Sequence, residues 1–356
     1  MSWSERARGA HPMVELVTVE KTVGWDEATA GADAELFLSR RWLRTVGNSF
    51  DLTFEAAVQR DESGRIVGAL PFSRIDDIRG PRVVILPFSD YVIPVIGSQS
   101  SWSELIEPIL ALGDPVSITT TAESHVMNDE QFFDDGAAIR QVVLLDKDPD
   151  ELMRGFASHH RRLVRRAHRA GITFRNAESI AEVREFYELH LGVRRHKYRL
   201  LAQPFGLFET LWEQFLAPGH GALILGFDGE TVAGGCLLLE AGDTMYYKYA
   251  ASHPDHRSVG VSHAAVMQAI RFACQRGFRQ LDLGRSDLDQ PGLVDFKKRF
   301  GAAASDLRRF RSKDRLYREP PEIDDVLAKM TAILTDPSVP DPVTEQAGEA
   351  LYGYFA

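Results

Sequence analysis

Two cysteines among 356 residues, Cys236 and Cys274, are too few for a disulfide framework or a cysteine-rich metal cluster. Both sit among apolar neighbours, so the expectation is a pair of buried thiols. No apolar run approaches the ~20 residues that a bilayer-spanning helix needs, which leaves only peripheral contact with a membrane. Residues 1–20 lack the continuous apolar stretch and cleavage site of a secretory signal, and a cytoplasmic location is expected. There is no Gly-x-Ser-x-Gly elbow, so a serine hydrolase is disfavoured. His253 and His256 flank Asp255 without a third ligand at a convincing spacing, and no metal is expected. The formal charge of −10 argues against a generic nucleic-acid coat, and DNA is not an expected partner.

The composition is otherwise that of a globular protein, 44% hydrophobic and 26% charged, with a length that fits about two domains. What stands out is where the charge lies. Residues 152–177 hold seven arginines and three histidines with no acid, whereas residues 319–356 hold eight acids and the single Lys329. On a helical wheel Arg161, Arg162, Arg165, Arg166 and Arg169 fall within an arc of about 140°, opposite Leu152, Phe156, Leu163 and Ala167. A solvated helix face ordinarily mixes signs to avoid like-charge repulsion. An anionic, phosphate-bearing ligand accounts for the purely cationic side; a merely solvated face is the alternative. Two further basic stretches, 194–199 and 297–318, follow, and the three are expected to share one face.

An order of elements recurs. A helix near 34–46, a strand at 52–59, a turn at 61–64 and a strand at 65–73 have counterparts about 165 residues later: a helix near 208–216, a strand at 221–227, a turn at Asp228 and Gly229, and a strand at 231–240. The second copy continues with a strand at 244–250, a polar loop, an alanine-rich helix at 261–276 closed by Gly277, and a strand at 280–283. The first copy is weaker, with strands at 83–86 and 116–120 around a helix near 102–112. The fold class expected is α/β with a mixed sheet, in two tandem domains (1–148, degenerate, and 149–312) followed by an acidic, Pro-rich, mobile tail (313–356) whose apolar end can dock back on the body.

The polar loop reads Arg257, Ser258, Val259, Gly260, Val261, Ser262 between a strand and a helix, which is an anion cradle of backbone N–H groups. This Arg-x-x-Gly-x-small spacing resembles the loop with which the GNAT acyltransferase superfamily grips the pyrophosphate of coenzyme A, with Ser262 standing where that superfamily has Gly or Ala. The basic segment 161–171, the strand around Tyr247 and Tyr249, the turn at 284–287 and the Phe-Lys-x-x-Phe-Gly run at 296–301 resemble the Fem-type aminoacyltransferases, tandem-GNAT enzymes that add amino acids from aminoacyl-tRNA to peptidoglycan precursors. The resemblance covers residues 150–312; residues 86–91 are the best match in the first half.

The resemblance implies transfer of an acyl or aminoacyl group to an amine, with acyl-coenzyme A or aminoacyl-tRNA as donor substrate, no tightly held cofactor, and a peptidoglycan or other cell-envelope precursor as one acceptor. Lys297, after Phe296, matches the lysine that the Fem-type family keeps near the donor and is the expected stabiliser of the oxyanion. Arg161, Arg165 and Arg285 are candidates for substrate phosphates, although Arg285 equally fits an ion pair with Asp282 or Asp287. By the two-residue period of a strand, Tyr247 and Tyr249 share one face and Tyr246 and Lys248 the other, so Tyr247 or Tyr249 is a candidate acid. Asp287 is the candidate base, with a water chain as its alternative. The competing functions are acetyl transfer from coenzyme A to a small-molecule or sugar amine, and an inactive anion-binding module.

Overall fold

The computed structural model describes residues 14–31, 35–98, 100–313 and 321–356. In the first half a short helix α1 (Trp25–Ala28) and α2 (Arg40–Phe50) lie beside strands β1 (Val14–Thr18), β2 (Glu55–Arg60), β3 (Ile66–Asp77), β4 (Gly80–Ile85) and the short β5 (Val95–Ile96); α3 (Trp102–Leu110), β6 (Val116–Thr121) and β7 (Phe132–Leu144) complete it. The expected helix 34–46 starts later, at Arg40, because Ser39 Oγ accepts from the Trp42 N–H and caps it there; residue 34 lies outside the described residues. The β2–β3 turn forms where read, with Gly64 at φ +84° and Asp61 Oδ1 accepting from the Ser63 and Arg65 N–H groups.

The second half opens where Asp148 accepts from the Asp150 N–H and Pro149 occupies the first helical position. Helices α4 (Pro149–Gly155) and α5 (Ser158–Arg169) precede β8 (Thr173–Asn176), α6 (Ile180–Gly192) and α7 (Phe205–Leu211). Strands β9 (Gly221–Asp228), β10 (Thr231–Ala241) and β11 (Thr244–Ser252), helix α8 (Val261–Gln275), β12 (Gln280–Asp287), α9 (Pro291–Lys298) and β13 (Ala303–Ser312) follow, then the tail helices α10 (Pro321–Leu334) and α11 (Asp341–Leu351). All strands join one sheet in the order β1-β2-β3-β4-β6-β13-β7-β12-β11-β10-β9-β8, with β5 beside β3.

The middle of that order is an exchange. β13, from the second half, pairs with β6 of the first, while β7, from the first half, pairs with β12 of the second, and the two exchanged strands pair with each other. The two halves are therefore sewn through four adjacent strands. The mixed α/β architecture and its tandem repeat agree with the sequence reading.

The halves differ where each has a parallel pair. β11 and β12 are paired only over Thr244–Tyr246 and Gln280–Asp282 and then diverge. In the first half β4 and β6 pair over Val83–Ile85, and the chain beyond β4 re-enters the gap: the Val92 N–H donates to Thr119 O at 2.8 Å, and Thr120 Oγ1 donates to Val92 O at 2.7 Å. The gap that stays open in the second copy is bridged by Val92 in the first.

The tail is docked rather than loose. Arg184 makes a two-pronged bond to Glu345, Arg195 is buried against Asp341 and the carbonyls of Asp336, Pro337 and Val339, and Arg199 donates to Thr335 O. The basic stretch 194–199 thus serves largely as the socket for the acidic tail. Arg308, Arg309 and Arg311 face Asp134 and Asp135. Opposite charges elsewhere in the chain take up much of the second and third basic stretches, so the three do not form one free cationic face. Cys236 is buried as expected, whereas Cys274 is only partly so, near the end of α8. Among the described residues no helix is long and apolar enough to cross a membrane.

Candidate active site

The gap between β11 and β12 is the floor of a cleft of about 820 Å³. Its lining includes Tyr247, Lys248, Arg257, Ser262, Arg285, Phe296 and Lys297, which the chain supplies from β11, the loop before α8, α8 itself, β12 and α9. Of the expected site residues, Tyr247, Arg257, Ser262, Arg285, Phe296 and Lys297 come together here, with no contribution from Arg161 or Arg165. Arg161 turns back to bond the carbonyls of Arg154 and Phe156, and Arg165 is exposed on α5.

Lys297 is 7% exposed, and its Nζ donates to Gly284 O and Arg285 O, both at 2.9 Å. An ammonium carries three donors, and no described residue accepts the third. Burial pushes its pKa down to about 8, against the pull of Asp90 and Asp282. The two carbonyls reach Nζ because β12 is bulged: Asp282 pairs with Val142 and Arg285 with Arg140, so Leu283 and Gly284 together oppose Gln141. Gly284 sits at φ +74°, the left-handed region that favours glycine, and its N–H donates to Asp282 Oδ1 at 2.7 Å.

Behind the bulge lies a buried polar cluster shared by the two halves. Arg140 Nε donates to Asp282 Oδ2 at 2.7 Å, Tyr91 OH reaches Glu35 Oε2 at 2.9 Å and Asp282 Oδ2 at 3.3 Å, and Tyr246 OH donates to Glu35 Oε2 at 2.8 Å. Burial raises the pKa of both Glu35 and Asp282, with Arg140 opposing the rise in each. In front of the bulge, Lys248 Nζ donates to Asp90 Oδ1 at 2.8 Å. Burial alone would raise the Asp90 carboxyl, but Lys248, Lys297 and the Arg285 N–H outweigh it and hold it below the usual carboxylate range.

Lys248 also corrects the reading of its strand. Leu237 pairs with Tyr249 and Leu238 with Tyr247, so Lys248 is an extra residue that breaks the two-residue period. Tyr247 packs toward α8 and contacts Cys236, while Tyr249 packs on the other side against Phe208 and His190. The two tyrosines do not share a face. Burial drives both phenols far above their ordinary pKa.

Asp287 Oδ1 accepts from Arg285 Nε and Nη2 at 2.9 and 2.7 Å, so the ion pair of Arg285 is with Asp287, and Asp282 belongs to Arg140. Arg257 is exposed and bonds to no described residue, at the mouth of α8, whose N-terminus no side chain caps. Gly260 contributes differently from the expectation of room for phosphates: at φ +92°, a Cβ on it would lie 2.6 Å from Leu163 O, so it lets the loop touch α5. Ser262 Oγ donates to Ser252 Oγ at 3.0 Å. Phe296 stacks edgewise on His263, whose pKa burial and His160 push down to about 4, making that wall neutral and aromatic. His256 is bonded to Asp228 at 3.0 Å, and His253 Nδ1 accepts from the Asp255 N–H.

The sequence reading missed Asp90, Lys248, Arg140 and Glu35, and gave Asp282 only as a partner for Arg285. The signal for Asp282 was a carboxylate between Leu281 and Leu283 on a strand read as buried. Asp90 sat inside the segment noted as the weaker copy of the motif region.

Residues 154–298 match the family model described as Acetyltransferase (GNAT) domain. Comparison with curated proteins gives no match. Among solved structures, FemX superposes with a TM-score of 0.62 at 16% identity, over 88% of this chain and 100% of that one. The C-terminal domain of a putative lysylphosphatidylglycerol synthetase from Agrobacterium fabrum gives 0.53 at 14% identity, over 89% and 96%. A tandem GNAT protein from the clavulanic acid biosynthesis pathway gives 0.52 at 14% identity, over 84% and 98%. The protein has a tandem GNAT-like fold, and residues 154–298 in its second half match the acetyltransferase (GNAT) domain model.

Proposed function

We propose that the protein is an acyltransferase that holds an activated acyl donor in the gap between β11 and β12 and passes the acyl group to an amine. The supporting observation is that the gap carries one buried lysine with a spare N–H at its inner part and one unpaired arginine beside an uncapped helix N-terminus. Lys297 meets the oxyanion that develops on the donor carbonyl. Arg257 and the first-turn N–H groups of α8 bind the donor's phosphates. In the reaction the neutral amine nitrogen forms the C–N bond, the C–S or C–O bond to the donor breaks, and the departing thiolate or alkoxide takes the proton that the nitrogen loses.

Coenzyme A thioesters suit this cleft, whose apolar wall of Val266, Leu283 and Phe296 fits a pantetheine arm. Aminoacyl-tRNA is the second reading, supported by Arg162, Arg165, Arg166 and Arg169, exposed on α5, which packs beside α8. The acceptor is an amine, a cell-envelope precursor being one class that the reading admits. Thermal shift with coenzyme A separates the donors. A shift that Arg257→Ala abolishes supports the thioester; no shift in either protein, with aminoacyl-tRNA binding that falls steeply with salt, supports the tRNA. Mass spectrometry of envelope precursors and small amines from cells with and without the protein then identifies the acceptor.

A further inference from the structure

We infer that Asp282 is the positioning residue for Lys297, and that the first half of the chain takes part in the transfer by holding Asp282 in place. The inference rests on the acyltransferase reading and adds a positioning group to its site. Among the described residues Lys297 Nζ bonds only to the carbonyls of Gly284 and Arg285, so the direction of these two carbonyls decides where the ammonium stands. The N–H groups of the same two residues are pinned by carboxylates. The Gly284 N–H donates to Asp282 Oδ1 at 2.7 Å, and the Arg285 N–H donates to Asp90, whose Oδ2 lies 3.2 Å from the place of a Gly284 Cβ. The peptide between Gly284 and Arg285 thus runs from Asp90 at its N–H to Lys297 at its carbonyl, while the bond to Asp282 holds Gly284 at φ +74°.

Asp282 is 1% exposed, so its own place is set by the groups that bond it. Arg140 on β7 straddles the bulge: its backbone pairs with Arg285 on one side, and its Nε donates to Asp282 Oδ2 at 2.7 Å on the other. The Arg140 guanidinium lies 4.7 Å from the centre of the Tyr91 ring, and the Tyr91 OH reaches Asp282 Oδ2 at 3.3 Å. One carboxylate oxygen therefore serves the bulge, and the other serves two residues of the first half. An asparagine offers an oxygen on one side only, so either Gly284 or Arg140 would face an NH2 group. Charge works in the same direction. The charged groups facing Lys297 are Asp282 and Asp287 on β12, Asp90 from the segment after β4, and Lys248 on β11; His263 of α8, on the wall of the same cleft, is neutral at pH 7. Asp287 bonds the Arg285 side chain and not the bulge backbone, which makes it the control for charge without positioning.

The test is competitive labelling of Lys297 with acetic anhydride in the full chain, from neutral to alkaline pH, read by mass spectrometry, with circular dichroism to confirm that each variant is folded. In the parent the lysine is expected to titrate at about 8. Asp282→Asn is expected to bring the midpoint to about 7 or below and to raise labelling at pH 7 about fivefold or more, because a lost carboxylate and loosened carbonyls both favour the neutral amine. Asp287→Asn is expected to move it less. Arg140→Met and Arg140→Gln carry the test if Asp282→Asn does not fold: the Gln Nε2 falls where the Arg140 Nε stands and keeps a donor there, whereas Met puts a methyl in its place. Arg140→Met is expected to shift the midpoint as Asp282→Asn does, and Arg140→Gln to stay closer to the parent. An unchanged midpoint in folded Asp282→Asn or Arg140→Met, a shift as large in Asp287→Asn, or equal shifts in the two Arg140 variants overturns the inference. With a working substrate pair, Asp282→Asn is expected to lower the turnover number about tenfold or more and to leave the donor KM unchanged. Labelling that shifts as expected in a protein that transfers no acyl group contradicts the transferase reading alone; transfer that ignores Asp282→Asn contradicts the positioning alone.

Discussion

Arg140 Nε donates to Asp282 Oδ2 at 2.7 Å, and through this bond a strand from the first half of the chain steadies the bulge beneath Lys297 in the second. Removing one partner of a buried ion pair leaves the other uncompensated, so Arg140→Ala is expected to cost about 3 kcal/mol or more of unfolding free energy. Urea denaturation followed by circular dichroism checks it; a loss under about 1 kcal/mol would mean that water replaces the guanidinium freely.

Glu35 belongs to the same cluster, and its sign is informative. Burial raises its pKa in the folded protein, so its stabilising contribution is complete below the unfolded pKa and is lost as pH rises through the folded value. Each rise in pH through that range therefore takes stability away through Glu35. Glu35→Gln keeps an acceptor for Tyr91 and Tyr246 and is expected to raise the melting temperature at pH 7 while flattening its decline from acid toward neutral pH. A lower melting temperature at pH 7 would show that the ionised carboxylate is stabilising.

Tyr247 and Tyr249 were read as one face of a strand, and the bulge at Lys248 separates them. With the Tyr247 phenol buried against Cys236 and its pKa far above the ordinary value, it is poorly placed as an acid. Tyr247→Phe is expected to change the turnover number less than threefold. A drop of about a hundredfold, the usual worth of a general acid, would restore the tyrosine to the mechanism.

Gly260 is held by geometry that other residues do not tolerate. Gly260→Ala places a methyl 2.6 Å from Leu163 O in a left-handed conformation, and about 2 kcal/mol or more of stability is expected to go. A melting temperature within a degree of the parent protein would mean that α5 moves aside at no cost.

The repeat was legible because each hairpin advertises itself: an acidic residue and glycine between strands of β-favouring residues, twice, in the same order. The cleft was half legible. Arg257, Ser262, Phe296 and Lys297 lie in short motifs whose spacing carries chemistry, and the fold gathers them. The strand exchange was not legible: β7, with Asp134, Asp135 and Gly136, and β13, with Arg308, Arg309 and Arg311, lack the two-residue alternation that marks a strand, and nothing local states which half they pair with. Partnership was also out of reach for the arginines. The eight acids of the tail look like a solvated terminus until Arg184 and Arg195 are seen across from them. Arg161 fits the same pattern, a motif position whose guanidinium the fold assigns to neighbouring carbonyls.

In the proposed transfer Lys297 is the cation at the reacting carbonyl, and the turnover number of Lys297→Ala, set against the pH profile of the parent protein, tests that role most directly. With a pKa of about 8 the lysine is charged at pH 7, so the parent's turnover should fall as pH rises through 8; the variant should lose about a hundredfold or more at pH 7 with donor affinity little changed. Turnover that persists undiminished in the variant, or that climbs with pH through 8 in the parent, would contradict it.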